Sequence, residues 1–297
     1  MGEMKHRACI VGAGRIGVGY NWPPHPFPYT HLDAYRALAD RVEVVGICDP
    51  DRSRRTWIQE RYSDPDFSGP ALWESDERML WKVKPDIVSL CTPPEARAGV
   101  LKTCKAVGVR GVWCEKPFAT SGTRVLAYEY SVGLTLQVNY IRRFEPMHQR
   151  VVKDLLGGVW GKPLSLTVHA KADVHTVCHF TDLALWCRIP PERIHYVPTD
   201  GTAYMLTEYE IVCEKAKIEF TEGGAWLAIR KPGKSGIFPG AETPQLEHLE
   251  EWRPVFMTAA LGNLLDALDG KAALISPPVH AMAAECWADT ILGEGKP

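Results

Sequence analysis

Apolar and polar positions divide the chain into two textures. In the first, short apolar runs without alternation are separated by stretches in which apolar residues recur every three or four positions. Residues 7–11, 42–48, 86–91 and 111–114 read as strands, and residues 32–38 and 98–107 carry helical spacing. Runs that do not alternate suit a sheet buried on both faces, and strands alternating with helices predict a parallel, doubly wound α/β sheet. From Leu134 onward the strand candidates lengthen and alternate, at 164–170, 194–197, 203–207, 208–213, 216–221 and 225–230. An open, mostly antiparallel or mixed sheet with one face packed on helices is expected there. Residues 231–254, rich in Pro and Gly, read as a loop, and 257–268 and 279–292 as helices. The change of texture predicts a first domain over 1–121 and a second, shortened α/β domain over 122–297, in keeping with about 150 residues per domain.

Composition narrows the partners. The 34 Lys and Arg nearly balance 36 Asp and Glu for a net charge of −2, and 45% of residues are hydrophobic with no run of membrane-spanning length. This excludes a disordered chain, a bilayer span and a polybasic nucleic-acid binder. The first residues lead into an apolar strand without the long apolar core of a signal peptide, so a cytoplasmic protein is expected. Of the nine cysteines, most lie in apolar strand-like runs and no CxxC pair occurs, which points to buried, reduced thiols.

Candidate chemistry begins directly after the first strand, at Gly12-Ala-Gly14-Arg15-Ile16-Gly17. A lone GxGxxG is weak evidence, but this one follows a strand and precedes a second strand that ends on Asp49. Gly12 allows the turn, Gly14 lets the backbone approach a pyrophosphate, and Gly17 permits close helix–strand packing. Asp49 is expected to accept hydrogen bonds from ribose hydroxyls. The spacing to Asp49 exceeds the usual roughly 20 residues because of an aromatic, proline-rich insert from Tyr20 to Tyr29. A dinucleotide is therefore expected: the carboxylate favours NAD, with NADP as the alternative because Arg52, Arg54 and Arg55 follow. The insert, with Tyr20, Trp22, His25, Phe27, Tyr29 and then His31, offers aromatic faces and polar tips that suit a sugar.

The glycine motif is joined, in order, by Cys91-Thr92-Pro93-Pro94, Glu115-Lys116-Pro117, Asn139-Tyr140-x-x-Arg143-Phe144-x-Pro146 and His179-x-x-Asp182-Leu183. This ordered set resembles the glucose–fructose oxidoreductase, inositol dehydrogenase and rhizopine-catabolism (Gfo/Idh/MocA) family over nearly the whole chain. The resemblance implies an N-terminal Rossmann domain and a C-terminal α/β domain whose open sheet often forms a homo-oligomer interface. It also implies NAD(P)-dependent oxidation or reduction of a secondary alcohol of a sugar, polyol or nucleotide sugar. By the family match, Lys116 sits next to the nicotinamide and the reacting hydroxyl, and His179 is the acid/base residue. Arg15, Ile16, Cys91, Thr92, Pro93, Pro94, Glu115, Asn139 and Arg143 join the glycines at the cofactor, while Tyr140, Arg143 and Asp182 face the substrate with Tyr20 and Trp22 of the insert. Hydride transfer from a carbinol needs a base near operating pH, which histidine provides unperturbed. Pro117 can also hold a cis peptide and so fix the lysine's direction.

Three departures stand out. His175 occupies the place of an aspartate in the family's Asp-x-Gly-x-His stretch, one helical turn from His179, so it is a third candidate catalytic residue. Arg97 stands where relatives commonly carry histidine. The second domain leaves little room for a full set of strands. His175, His179 and Asp182 have the spacing of a metal triad, yet the family match accounts for His179 and Asp182 without metal, and no metal is assigned. Two other functions share the scaffold: NAD-dependent glycoside cleavage by transient oxidation and elimination, and non-catalytic cofactor sensing.

Overall fold

A computed structural model of the chain describes residues 5–23, 25–62, 70–199, 207–234, 242–251 and 255–293. By contacts the chain forms two units, Met1–Phe144 with Pro254–Met282, and Glu145–Arg253 with Ala283–Pro297.

In the first unit the non-alternating apolar runs pair as β1 (His6–Val11), β2 (Val42–Cys48), β3 (Ala71–Trp73), β4 (Ile87–Leu90), β5 (Gly111–Cys114) and β6 (Thr135–Val138). All pairings are parallel, in the order β3-β2-β1-β4-β5-β6. β4 and β5 are buried along their whole length. The order reverses between β1 and β4, the switch point at which doubly wound sheets bind ligands beyond their carboxyl ends. Helices α1 (Arg15–Val18), α2 (His31–Ala37), α3 (Arg52–Arg61), α4 (Asp76–Val83), α5 (Pro94–Val107) and α6 (Arg124–Ser131) connect the strands. Their starts follow local chemistry. Thr30 and Asp33 form a reciprocal capping box on α2, Asp51 and Ser75 cap α3 and α4, and Pro94 opens α5, where a missing N–H costs nothing.

Two strands of this sheet differ from the sequence reading. Thr135–Val138, assigned above to the second domain, pairs with β5 as the sixth parallel strand, and the three-residue β3 is too short to show periodicity. A later helix, α9 (Phe256–Leu268), returns to cover the β5–β6 end. There the Gln137 amide donates to Ala260 O at 2.6 Å, and Val138 N donates to Ser276 O at 2.9 Å.

The second unit contains α7 (Pro146–Leu156), β7 (Pro163–Ala170), α8 (Val174–Trp186), β8 (Ile194–Pro198), β9 (Glu208–Cys213), β10 (Lys217–Thr221), β11 (Trp226–Lys234), β12 (Glu242–Glu251) and the later part of α10 (Pro278–Leu292). The sheet order is β12-β11-β10-β9-β7-β8, antiparallel except for the β7–β8 pair. Alternation places Leu166, Val168, Tyr209, Ile211, Ile218, Phe220 and Leu227 in one core with Val151, Leu155, Phe180 and Leu183 of α7 and α8. On the other face Lys217 bridges Glu210 at 2.6 Å and Glu219 at 3.0 Å. Part of the stretch read as a loop is instead strand: β11 runs on to Lys234 and β12 pairs with it. Proline is tolerated because β12 is an edge and β11 beyond Arg230 pairs only with β12. That strand restores a six-stranded sheet to a domain read as short of strands. Of the candidate strand 203–207, residues 203–206 lie outside the described residues.

Candidate active site

The glycine loop is built by exclusion. Gly12 has φ +101°, and a Cβ there would lie 2.6 Å from Cys91 O. A Cβ on Gly17 would lie 2.2 Å from Gly12 O. At Gly14 the nearest atom to such a Cβ is an Arg54 guanidinium nitrogen at 3.9 Å, so the approach to this backbone is open. The first amides of α1 have no intrahelical partner and remain available to an anion.

Asp49 ends β2 and is only 3% exposed. Its Oδ2 accepts from Ala13 N at 2.8 Å and from Arg54 at 3.1 Å, and its Oδ1 from Asp51 N at 2.9 Å. The carboxylate thus ties the glycine loop to β2. Arg55 donates to the Asp49 carbonyl at 2.6 Å. Tyr20 lies under the Arg54 guanidinium and edge-on to Trp57 at 5.6 Å, so it belongs with the Asp49 end of the site. The other described aromatics of the insert meet one another and, through Tyr29, Phe256. Tyr29 stacks on His25 at 4.7 Å and meets Trp22 at 5.5 Å and Phe256 at 5.7 Å. Trp22 and Tyr29 stay half-buried and His25 exposed.

Beyond the carboxyl ends of β1, β2 and β4 a cavity of about 370 Å³ is lined by Gly12, Asp49, Arg54, Cys91, Thr92 and Pro93, among others. Thr92 Oγ1 is buried without a hydrogen-bond partner, an orphan that a bound group can satisfy. An open glycine backbone, a cavity at the switch point and an orphaned hydroxyl together fit a dinucleotide.

Glu115-Lys116-Pro117 leaves β5 at the same sheet edge, with a cis Lys116–Pro117 peptide and a half-buried Lys116. Glu115 is buried: its Oε1 accepts from Asn139 Nδ2 at 2.6 Å and from His31 Nε2 at 3.0 Å. Burial alone would push the Glu115 carboxyl up, but the hydrogen bonds from His31 and Asn139 and the nearby Lys116 ammonium hold it below its usual range. Arg97, 3% exposed, donates to the carbonyls of Thr92, at 2.8 and 3.1 Å, and of Glu115, stapling the two turns together. Among the expected cofactor and substrate residues, Asn139, Tyr140 and Arg143 are buried. Asn139 acts on Glu115, and Arg143 donates to Ile275 O at 3.3 Å. His31, grouped above with the insert aromatics that suit a sugar, is fully buried. Its position immediately after the Thr30 cap was the signal for that placement, since the first helical turn packs on the sheet.

In the second unit α8 carries the remaining candidates. Asp173 caps it by accepting Thr176 N at 2.8 Å. His175 is therefore the second helical residue and exposed; His179, one turn on, is half-buried; Asp182 is 1% exposed. The acidic residue of this stretch sits at the helix cap, two positions before the place His175 takes. Among the described residues no cluster of three or more His, Cys, Asp or Glu is arranged to hold a metal. None of the nine cysteines, all among the described residues, is in a disulfide, and burial pushes the Cys9 and Cys48 thiols up to about 12, away from the reactive thiolate form.

The family model described as an oxidoreductase family with an NAD-binding Rossmann fold, GFO_IDH_MocA, matches residues 6–140. Residues 6–140, somewhat under half of the chain, are thus similar to the NAD-binding domain of that family. Over 167 residues it is 26% identical to D-glucoside 3-dehydrogenase of Escherichia coli (strain K12), covering 55% of this chain and 43% of that protein. Over 170 residues it is 27% identical to inositol 2-dehydrogenase of Rubrobacter xylanophilus, covering 56% and 44%. The chain thus spans less than half the length of these curated relatives. In fold, 96% of it superposes on 92% of the WlbA dehydrogenase from Chromobacterium violaceum, solved with NADH and UDP-GlcNAcA, with a TM-score of 0.70 at 17% identity. Among the described residues no helix is long and apolar enough to cross a membrane.

Proposed function

We propose that the protein is an NAD-dependent oxidoreductase moving a hydride between the nicotinamide and a secondary alcohol or ketone of a sugar, polyol or nucleotide sugar. The observation that carries this reading is the placement of Glu115-Lys116-Pro117 at the sheet edge that also holds the glycine loop, the Thr92 turn and the switch-point cavity. Bound NAD supplies the hydride acceptor. Lys116 donates a hydrogen bond to the alcohol oxygen and stabilises its negative charge as the C–O bond gains double-bond character. His179 takes the hydroxyl proton, and exposed His175, one turn earlier on α8, exchanges it with solvent. Asp49 favours NAD over NADP, because its charge at the ribose end disfavours a 2′-phosphate. The substrate class rests on the glucoside and inositol dehydrogenases named above. The resemblance also supports self-association through the open face of the second sheet, which sedimentation of the purified protein checks.

The test is NADH appearance on mixing the protein with NAD and a panel of myo-inositol, methyl glucosides and UDP-N-acetylglucosamine. Lys116→Ala and His179→Ala are each expected to cut turnover at least about 100-fold. Net NADH accumulation separates dehydrogenation from an elimination that recycles its cofactor. The reading fails if both variants keep wild-type turnover or if no panel member reduces NAD.

A further inference from the structure

Beside Lys116 runs a buried polar chain that neither the glycine motif nor the Glu115-Lys116-Pro117 motif explains. His31 is fully enclosed, its ring centroid 3.8 Å from that of Trp113. Its Nε2 lies 3.0 Å from Glu115 Oε1 and its Nδ1 2.9 Å from Ser89 Oγ. Tyr35, one turn further along α2, places its hydroxyl 2.9 Å from the same Ser89 Oγ.

The chemistry of the groups sets the direction of these bonds. An ionised carboxylate only accepts, so His31 Nε2 carries a hydrogen and donates to Glu115. The other ring nitrogen then accepts from the Ser89 hydroxyl, whose oxygen in turn accepts from Tyr35. This arrangement gives every polar hydrogen in the chain an acceptor, which a network sealed from water requires. The chain runs from Tyr35 through Ser89 and His31 to Glu115, the residue directly before Lys116. The charged and titratable groups facing Glu115 are His31 from α2, Arg97 from α5, Cys91 after β4 and Lys116 itself.

We propose that His31 is a positioning residue for Lys116: by holding Glu115 Oε1 it keeps the neighbouring carboxylate ionised and fixes the turn from which Lys116 projects. A buried carboxylate that loses one of two donors takes up a proton more readily, and Lys116 then loses an adjacent negative charge. The role rests on the reading of Lys116 given above, and its test separates the two.

Lysine amines are reductively methylated with 13C-formaldehyde and cyanoborohydride, and the Lys116 signal, assigned by its loss in Lys116→Arg, is titrated in wild type, His31→Phe and His31→Gln. Phenylalanine keeps the contact with Trp113 but removes the donor, whereas glutamine retains one. In His31→Phe the Lys116 midpoint is expected to fall by roughly one pH unit, and in His31→Gln to return toward wild type. With any alcohol that the wild type oxidises, His31→Phe lowers kcat about tenfold with KM unchanged, and His31→Gln restores most of it. If His31→Phe does not fold by thermal unfolding, Ser89→Ala, which frees the imidazole to turn, must shift Lys116 in the same direction. Coincident titrations in wild type and a folded His31→Phe or Ser89→Ala overturn the inference. An unmoved Lys116 with active enzyme removes the role of His31 alone. A moved Lys116 with no NAD reduction by any protein removes the dehydrogenase reading and leaves the coupling standing.

Discussion

Asp49 and Ala13 are joined by a 2.8 Å hydrogen bond from the Ala13 amide to the Asp49 carboxylate, so the acidic end of β2 holds the glycine loop from behind. The side chain proposed to favour NAD therefore also shapes the glycine loop. Asp49→Ala removes the acceptor for the amides of Ala13 and Asp51. NADH binding should weaken by about 10- to 100-fold, the equivalent of one or two buried hydrogen bonds to a charged group. NADPH binding should weaken less. Fluorescence titration of both cofactors checks the ratio.

Gly17 faces a carbonyl rather than open space. With a Cβ placed 2.2 Å from Gly12 O, Gly17→Ala must push the loop off β1. The expected result is loss of NADH binding together with a lower unfolding midpoint, whereas Gly14→Ala, at an open position, should impair binding with little change in stability.

Glu115 makes stability depend on pH. Its folded pKa lies below the unfolded value, so its contribution is present in full above the usual carboxylate range near about 4.3 and is lost as pH falls through the lower folded value. Glu115→Gln should therefore be less stable than wild type at neutral pH, with the gap narrowing in acid. Urea midpoints of the two proteins at neutral and acid pH measure it.

Arg97 spends its donors on backbone carbonyls at Thr92 and Glu115. Arg97→Ala leaves those buried carbonyls short of donors and should cost about 2–4 kcal/mol in a urea unfolding measurement. Cofactor affinity should fall with it, because the staple holds the Thr92 and Glu115 turns in register.

In the second unit Glu145 bonds His148, and His148 bonds the Tyr209 hydroxyl, all within the apolar core. Tyr209→Phe keeps the ring stacked on Phe220 at 4.6 Å but deletes that hydroxyl, and should lower stability by about 1–2 kcal/mol.

The sequence made legible what local chemistry decides. β1, β2, β4 and β5 appear as apolar runs because both sheet faces cover them, and β9 and β10 as alternation because one face is open. The glycine loop and Asp49 stood out by spacing, whereas Lys116 was picked out by the resemblance to a family and not by any local pattern. What stayed hidden depends on partners distant in sequence. β12 carries proline and lacks a strand signature until β11 is beside it. β6 looks like the start of the second texture until it is seen to pair with β5. Tyr20 and His31 both read as insert aromatics, yet the first packs on α3 and the second on Glu115, 84 residues later. No periodicity announces a contact of that separation.

The return of α9 to the first sheet has a bearing on how the protein comes into being. Residues 6–138 supply every strand of the dinucleotide unit, but the helix that closes its β5–β6 end is not translated until more than a hundred residues later. During synthesis this nascent sheet must wait, at about 5–20 residues per second, with the Gln137 amide and the apolar end of β6 uncovered while the second unit emerges. Ribosome-bound chains stalled before Phe256 should be protease-sensitive and poor at retaining NADH, and chains stalled beyond the α9 segment should acquire both properties together.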